Sequence, residues 1–316
     1  MPNLMLHFRS WRLALLLCIL SVGPLTMAVT ARTVTVDCNL NTISKALKTL
    51  NSQDSNVVRV VGTCHDSVTI NDFASLSIVG IPVNGNNAVV ESLNGSPVFV
   101  IGGSQVQIKN LTFDGGGSGV ICQEFSVCRF SGNTIQNATN NGVYVDTSDA
   151  TFSGDVIQNN TNFGLNLTAS RVRVNHVTVK GTTAGVWPGN GVEIDSGSTL
   201  TVEQLTVQDN HGSGVSLIGN SNLNNRSWAG AFTVNNNGVG GIWVTEQSSA
   251  DLGGATVINN TGGAGVVITG NSEASFWGGG TFTGNQFLDV YCGDLNGVAA
   301  APQQATIGLT NCPNTY

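Results

Sequence analysis

The sequence is poor in charge. Only 10% of its 316 residues are charged, against about 25% in an ordinary soluble domain. Aromatic residues make up 6%, and there are only 7 prolines. Lysine and arginine number 12 against 19 acids, a formal net charge of −7. So acidic a surface argues against nucleic acid, whose phosphates dominate binding, and against adsorption to anionic lipid. Helix-breaking composition excludes an ordinary helical enzyme: there are 40 glycines and 36 asparagines, both poor in helix interiors. A 41% hydrophobic content excludes a disordered chain. No two cysteines are spaced C-x-x-C, which leaves zinc a weak alternative.

One long apolar run is present, and it lies at the amino end. Arg9 and Arg12 precede Leu13 to Leu20, and Val29-Thr30-Ala31 offers small residues for cleavage before Arg32. The run is too short to span a bilayer comfortably, so residues 1–31 read as a signal peptide rather than an anchor. No second apolar run of spanning length follows. Removal of Arg9 and Arg12 takes the net charge from −7 to −9. Cys18 lies in the leader. Cys38, Cys64, Cys122, Cys128, Cys292 and Cys312 remain, an even number that in an exported chain reads as disulfides. Local pairing would join 38 to 64, 122 to 128 and 292 to 312. Seven N-x-[ST] sequons begin at Asn94, Asn110, Asn137, Asn159, Asn166, Asn225 and Asn259.

What the chain does have is a repeat. A triplet centred mostly on Thr, as in Leu111-Thr112-Phe113 and Leu205-Thr206-Val207, recurs about every 24 residues to Gly280-Thr281-Phe282. Two residues past each triplet the column reads Gly115, Asn137, Asn159, Gly181, Asp209, Asn236, Asn259, Gly284. These types tolerate positive φ, so one left-handed bend per repeat is expected. The next column holds Asn160, Asn210, Asn237, Asn260 and Asn285, side chains suited to a hydrogen-bonded stack. A second strand follows, opened by Gly, as in Gly142-Val143-Tyr144-Val145 and Gly191-Val192-Glu193-Ile194. Its period of two buries one face. A third short strand follows a tight turn, as in Val172-Arg173-Val174. Three strands per repeat with no room for a helix predict an all-β, single-stranded, right-handed parallel β-helix. A sandwich or propeller would need hairpins and longer blades. Cys122 and Cys128 fall in inward columns on either side of one corner. Asn41 to Leu50 has helical spacing and predicts a short amino-terminal cap helix.

From Thr33 to Gly80, a strand, a cap helix, Val57-Val58-Arg59-Val60-Val61-Gly62-Thr63-Cys64, Ser67-Val68-Thr69-Ile70 and Leu76-Ser77-Ile78-Val79-Gly80 resemble the start of pectin-lyase-like proteins. With the coils, the resemblance is to right-handed parallel β-helix repeat proteins over nearly the whole mature chain. The organisation expected is residues 1–31 signal peptide, 32–100 amino-terminal cap and first coils, 101–290 coils, and 291–316 carboxyl-terminal cap. The fold hosts lyases, hydrolases, esterases, epimerases and non-enzymatic surface proteins, so it does not fix the function. The Gly-His-Gly and Arg-Ile-Lys motifs of polygalacturonases, the Gln-Asp-Thr-Leu of pectin methylesterases and the Trp-Ile-Asp-His of pectate lyases are absent. No family site carries over to any residue.

Candidate chemistry therefore comes from the outward column Tyr144, Asn166, Glu193, Ser216, Trp243, Val267, extended to Asp289, and from Asp146, Thr168 and Asp195 two residues further on. Tyr144, Asn166 and Trp243, with Trp187 on the insert Thr182 to Asn190, are the candidate glycan-binding residues, because aromatic rings stack on sugar faces. Glu193 and Asp195 are the candidate catalytic carboxyls of a hydrolase. A lyase would use Asp146, Glu193 and Asp195 to hold Ca²⁺, the one cofactor any version requires, with Lys180 or Arg173 as base. Arg129 and Arg173 flank Thr151 on a neighbouring face. Arg171 aligns with Asp149 one coil earlier and predicts a surface ion pair. The reading preferred from sequence is a secreted or periplasmic, monomeric β-helix that binds a polysaccharide or cell-surface glycan without catalysis. A lyase, hydrolase or epimerase acting on uronate-containing polysaccharide is the alternative, and a purely structural or adhesive scaffold the second.

Overall fold

The computed structural model describes residues 31–92, 94–226, 231–276, 278–293, 298–300 and 305–312. The expected signal peptide falls outside them except for Ala31, as do parts of the expected carboxyl-terminal cap. The chain winds as a right-handed parallel β-helix whose coils build three sheets. Sheet A has 12 strands, from Arg32–Asp37 to Val298–Ala300; sheet B has 11, from Thr63–His65 to Thr306–Ile307; sheet C has 10, from Val68–Asn71 to Val290–Cys292. Apart from Arg32–Asp37, which pairs the next strand Ser55–Val61, each described strand pairs with the strand three places on in sequence, as Asp149–Ser153 pairs Arg171–Asn175 in parallel.

Alternation along each strand sends one side chain in and the next out. Val143, Val145, Leu165 and Leu167 are fully buried, while Tyr144 and Asn166 between them are half-exposed. The inward columns fill the prism. Phe130 and Phe152 stack in neighbouring coils at 4.7 Å between centroids, and Phe99 meets Phe113 edge-on at 5.0 Å. Burying each such side chain contributes about 1.5–3 kcal/mol, and the repetition makes the core continuous.

The bend expected from the Gly/Asn/Asp column is left-handed in every coil: φ is 60° at Asn137, 55° at Asn159, 56° at Asp209 and 57° at Asn259. The asparagines behind it form a buried ladder. Nδ2 of Asn210, Asn237 and Asn260 each donates to Oδ1 of the next, at 2.9 Å. Each Oδ1 also accepts a backbone N–H of the preceding coil, as Asn237 does from Asn210 at 3.2 Å. At Thr182 the ladder is interrupted, though the Thr182 N–H still reaches Asn210 Oδ1 at 2.9 Å. A second ladder, of serine, occupies the corner between sheets C and A. Oγ of Ser126, Ser148, Ser170 and Ser198 accepts the N–H of Ser104, Ser126, Ser148 and Ser170 respectively, at 3.0–3.2 Å. Both ladders satisfy backbone donors that a sharp bend withdraws from water.

Glycine opens the strands of sheet C because there is no room for a side chain. A Cβ at Gly191 would lie 2.5 Å from Val207 Cγ1 and 2.7 Å from Gly214 O in the next coil. The cap helix forms over Ile43–Leu47 with Ile43, Ala46 and Leu47 buried, and Thr42 caps it by accepting the Lys45 N–H. It stops short of Leu50 because Thr49 turns its hydroxyl back onto Ala46 O. All three expected disulfides are present: Cys38–Cys64, Cys122–Cys128 and Cys292–Cys312.

Candidate functional site

The outward face of sheet C holds the residues singled out from sequence. Register pairs Tyr144 with Asn166, Asn166 with Glu193, Glu193 with Ser216 and Ser216 with Trp243, so the column is continuous. It continues through Val267 to Tyr291, which corrects the expected position of Asp289. Asp289 is instead buried: its Oδ1 accepts from Asn285 N and Nδ2, ending the asparagine ladder, and its Oδ2 accepts from Leu309 N. The segment after Gln286 places Asp289 before the strand rather than on its outer face.

Glu193 sits at the middle of the column, half-buried. The glycine-opened bulge brings Asn190 onto the same face, and its Nδ2 donates to Glu193 Oε2 at 2.9 Å. Burial pushes the Glu193 carboxyl up to about 7. Hydrogen bonds from Asn190 and Ser216 oppose that rise, and the nearby Asp195 charge adds to it. Trp243 is 38% exposed. Its indole nitrogen lies against the backbone at Gly240, where a Cβ would come within 2.9 Å of Nε1. Trp187, 57% exposed, tilts over Phe163 at 6.1 Å between centroids. The Trp187 backbone N–H donates to Asn162 Oδ1, and Pro188 O is 3.0 Å from His211 Nδ1, so the insert folds back along this face as a wall.

The structure separates the groups that a lyase would combine. Asp195 shares the strand of Glu193 and both face out, but Glu193 leans toward Asn190 while Asp195 Oδ1 accepts the Ser196 N–H. Asp146 lies two coils from Asp195, across Thr168. At about 4.8 Å per coil these carboxylates do not converge on one ion. Among the described residues, no three His, Cys, Asp or Glu side chains cluster as a metal would need. Lys180 belongs to sheet B and Arg173 to sheet A, where it faces Glu203 at 3.6 Å. Neither base shares a face with Glu193. The expected ion pair between Arg171 and Asp149 is present at 2.9 Å.

Two features of the surface were not found from sequence. The ten strands of sheet C contain no lysine or arginine among the described residues. A concavity of about 460 Å³ lies not over Glu193 but around the corner, lined by Phe125, Thr147, Asp149, Ala169, Arg171 and Gly197 among others. Both were recoverable once coil register was fixed, because each depends on which residues stack.

Several solved structures share the architecture. The A-module of the Azotobacter vinelandii mannuronan C-5 epimerase AlgE4 superposes with a TM-score of 0.57 at 11% identity, covering 86% of this chain and 90% of that one. A mutant of the periplasmic alginate epimerase AlgG gives 0.53 at 15% identity, with 88% and 80% covered. ORF18 of Geobacillus virus E2 gives 0.46 at 16% identity over 84% of this chain, which spans 60% of the viral protein. At such identities the likeness is one of fold. No curated protein matches the chain. The family model for the right handed beta helix region matches residues 56–261, and the chain belongs to that right-handed β-helix family.

Proposed function

We propose that this protein is exported and binds a neutral polysaccharide laid along the axis of sheet C. The observation that carries the reading is the character of that face: Tyr144 and Trp243 bracket the half-buried Glu193, and no cation accompanies them. Coils repeat at about 4.8 Å, close to the length of one sugar residue, so an extended glycan would present a ring to each outward position. A uronate polymer would bring its carboxylates against Asp146, Glu193 and Asp195 with nothing positive to receive them, which disfavours acidic glycans. The fold neighbours named for alginate epimerases support a polysaccharide partner only in outline. Three disulfides support an oxidising compartment.

Retention on immobilised linear glucan, mannan and xylan, compared with alginate and polygalacturonate, tests this. Binding to at least one neutral polymer and to neither acidic one is expected, with Trp243→Ala weakening it by about tenfold. Preferential binding of the acidic polymers, or release of unsaturated product from them with or without Ca²⁺, overturns it.

A second reading is favoured by the Glu193 carboxyl alone. Held at about 7, it carries its proton in about half of the molecules at neutral pH, which suits the acid that protonates a glycosidic oxygen. Release of reducing ends from a bound neutral glycan, abolished in Glu193→Gln with binding retained, would establish it.

A further inference from the structure

The 460 Å³ concavity has a specific origin in coil length. Between the inward columns of sheets C and A, Cys122 to Cys128 and Ile194 to Leu200 step six positions, whereas Val145 to Ala150 and Leu167 to Val172 step five. Two short corners are thus recessed between two longer ones. The short corners turn on single residues with positive φ, Thr147 and Ala169, each at 48°. For Thr, branched at Cβ, that conformation is strained. The longer corner above carries Phe125, 85% exposed, and the one below carries Ser196-Gly197. The result is a notch two coils wide, about 10 Å, walled on one side by an aromatic ring.

The backbone that carries Phe125 is tied down. The Cys122–Cys128 disulfide closes the corner that bears it, and both cysteines are buried in the core. On the sheet A side the notch is edged by a polar fork. Arg171 Nε and Nη2 donate to the two carboxylate oxygens of Asp149 at 2.9 and 3.1 Å. This pairing neutralises the charge while leaving guanidinium N–H groups and carboxylate lone pairs directed outward, a donor beside an acceptor. An exposed ring on a disulfide-closed corner next to a donor–acceptor pair suits a sugar: the ring covers an apolar face and the fork meets adjacent hydroxyls.

The notch also continues the candidate glycan face. Tyr144 lies three residues before Thr147 on the same strand and corner, a reach of about 10 Å. We infer that this corner notch is a subsite for a sugar branch, so that the preferred ligand is a branched neutral polysaccharide whose main chain follows sheet C and whose side residue turns into the notch. The inference rests on the sheet C reading and adds the selectivity that a flat column of Tyr144, Asn166 and Glu193 lacks.

A matched pair of oligosaccharides tests it by calorimetry: a linear manno-oligosaccharide against its galactose-branched counterpart, and cellohexaose against its xylose-branched counterpart. The unaltered protein is expected to bind one branched member about tenfold more tightly than its linear partner. Phe125→Ala and Arg171→Lys, both on exposed side chains, are expected to remove that preference and leave linear binding within twofold. Trp243→Ala is expected to weaken both members of the pair. Equal affinity for branched and linear ligands in the unaltered protein, or equal losses for both in Phe125→Ala and Arg171→Lys, overturns the notch assignment while the sheet C reading stands. Binding of none of the four overturns both.

Discussion

Sheets A and C are wound from the same coils, yet their outer faces differ in almost every respect. Sheet A carries Arg32, Arg59, Lys109, Arg129, Arg171 and Arg173, six of the ten basic residues after position 31. Sheet C carries none among its described strands, and shows instead Tyr144, Glu193 and Trp243. The inward columns are apolar in both, with Val172 and Val174 in one and Val192 and Ile194 in the other. What separates the faces is therefore confined to outward positions, and the repeat that stabilises the coil places no restriction on them. A face can lose all its cations without any cost to the stack.

There is one respect in which sheet C is less free, and it gives the largest effect. Its strands open with glycines that the next coil approaches closely, so Gly191→Val is expected to lower stability by about 3 kcal/mol through contact with Val207 and Gly214. Thr201→Val, at an outward position of sheet A, is expected to change stability by less than about 0.5 kcal/mol. Urea midpoints at fixed slope measure both. Comparable losses in the two variants would erase the packing difference between the faces.

Nearly as large is a titration beneath the corner where sheet A meets sheet B. Asp155 is fully buried, and desolvation raises its carboxyl from 3.8 to about 6 despite hydrogen bonds from Asn133 and Ser153. Because the folded state holds this proton more tightly than the unfolded chain, stability is greatest below about pH 4 and falls as pH rises through about 6. The gap corresponds to a loss of about 3 kcal/mol. Urea unfolding from pH 4 to 7 in a Glu193→Gln background, which removes the other raised carboxyl, measures it, and adding Asp155→Asn is expected to flatten that dependence. If the slope persists unchanged in the variant, Asp155 is not its source.

The parts of this comparison legible in the sequence are those set by the repeat. The left-handed column was readable because only Gly, Asn and Asp occupy it, and positive φ at Asn137, Asp209 and Asn236 bears that out. The register of Cys122 with Val145 and of Cys128 with Ala150 was readable for the same reason. Asp289 was misplaced because it stands where Gly265 opens the strand one coil earlier, so the last strand lacks the glycine that marks its start. The basic candidates Lys180 and Arg173 were grouped with Glu193 as neighbours in sequence, whereas a triangular prism turns them to other sides. The notch was missed because it arises from corners that differ by one residue, a difference visible only after coils are aligned. The raised Glu193 carboxyl comes from burial, set against hydrogen bonds from Asn190 and Ser216 on its own strand and the next coil, and burial of that kind shows only once the coils are stacked.

The smallest effect sharpens the comparison at the ligand. Glycan laid on sheet C would cover Glu193 further, and covering a neutral carboxyl is cheaper than covering a carboxylate. The protonated form also has an O–H to donate to a sugar hydroxyl. Affinity for a neutral glycan is therefore expected to fall by about threefold as pH rises from 6 to 8, through the value of about 7 at Glu193. Glu193→Gln removes the charge at every pH, so its affinity is expected to stay flat and close to the low-pH value of the unaltered protein. Asp155 titrates around pH 6 beneath the corner of sheets A and B, so repeating the series in Asp155→Asn keeps its stability change from imitating a binding change. An affinity that rises with pH would mean that the carboxylate is the binding form, and sheet C would then have to recruit a cation that its own strands do not supply.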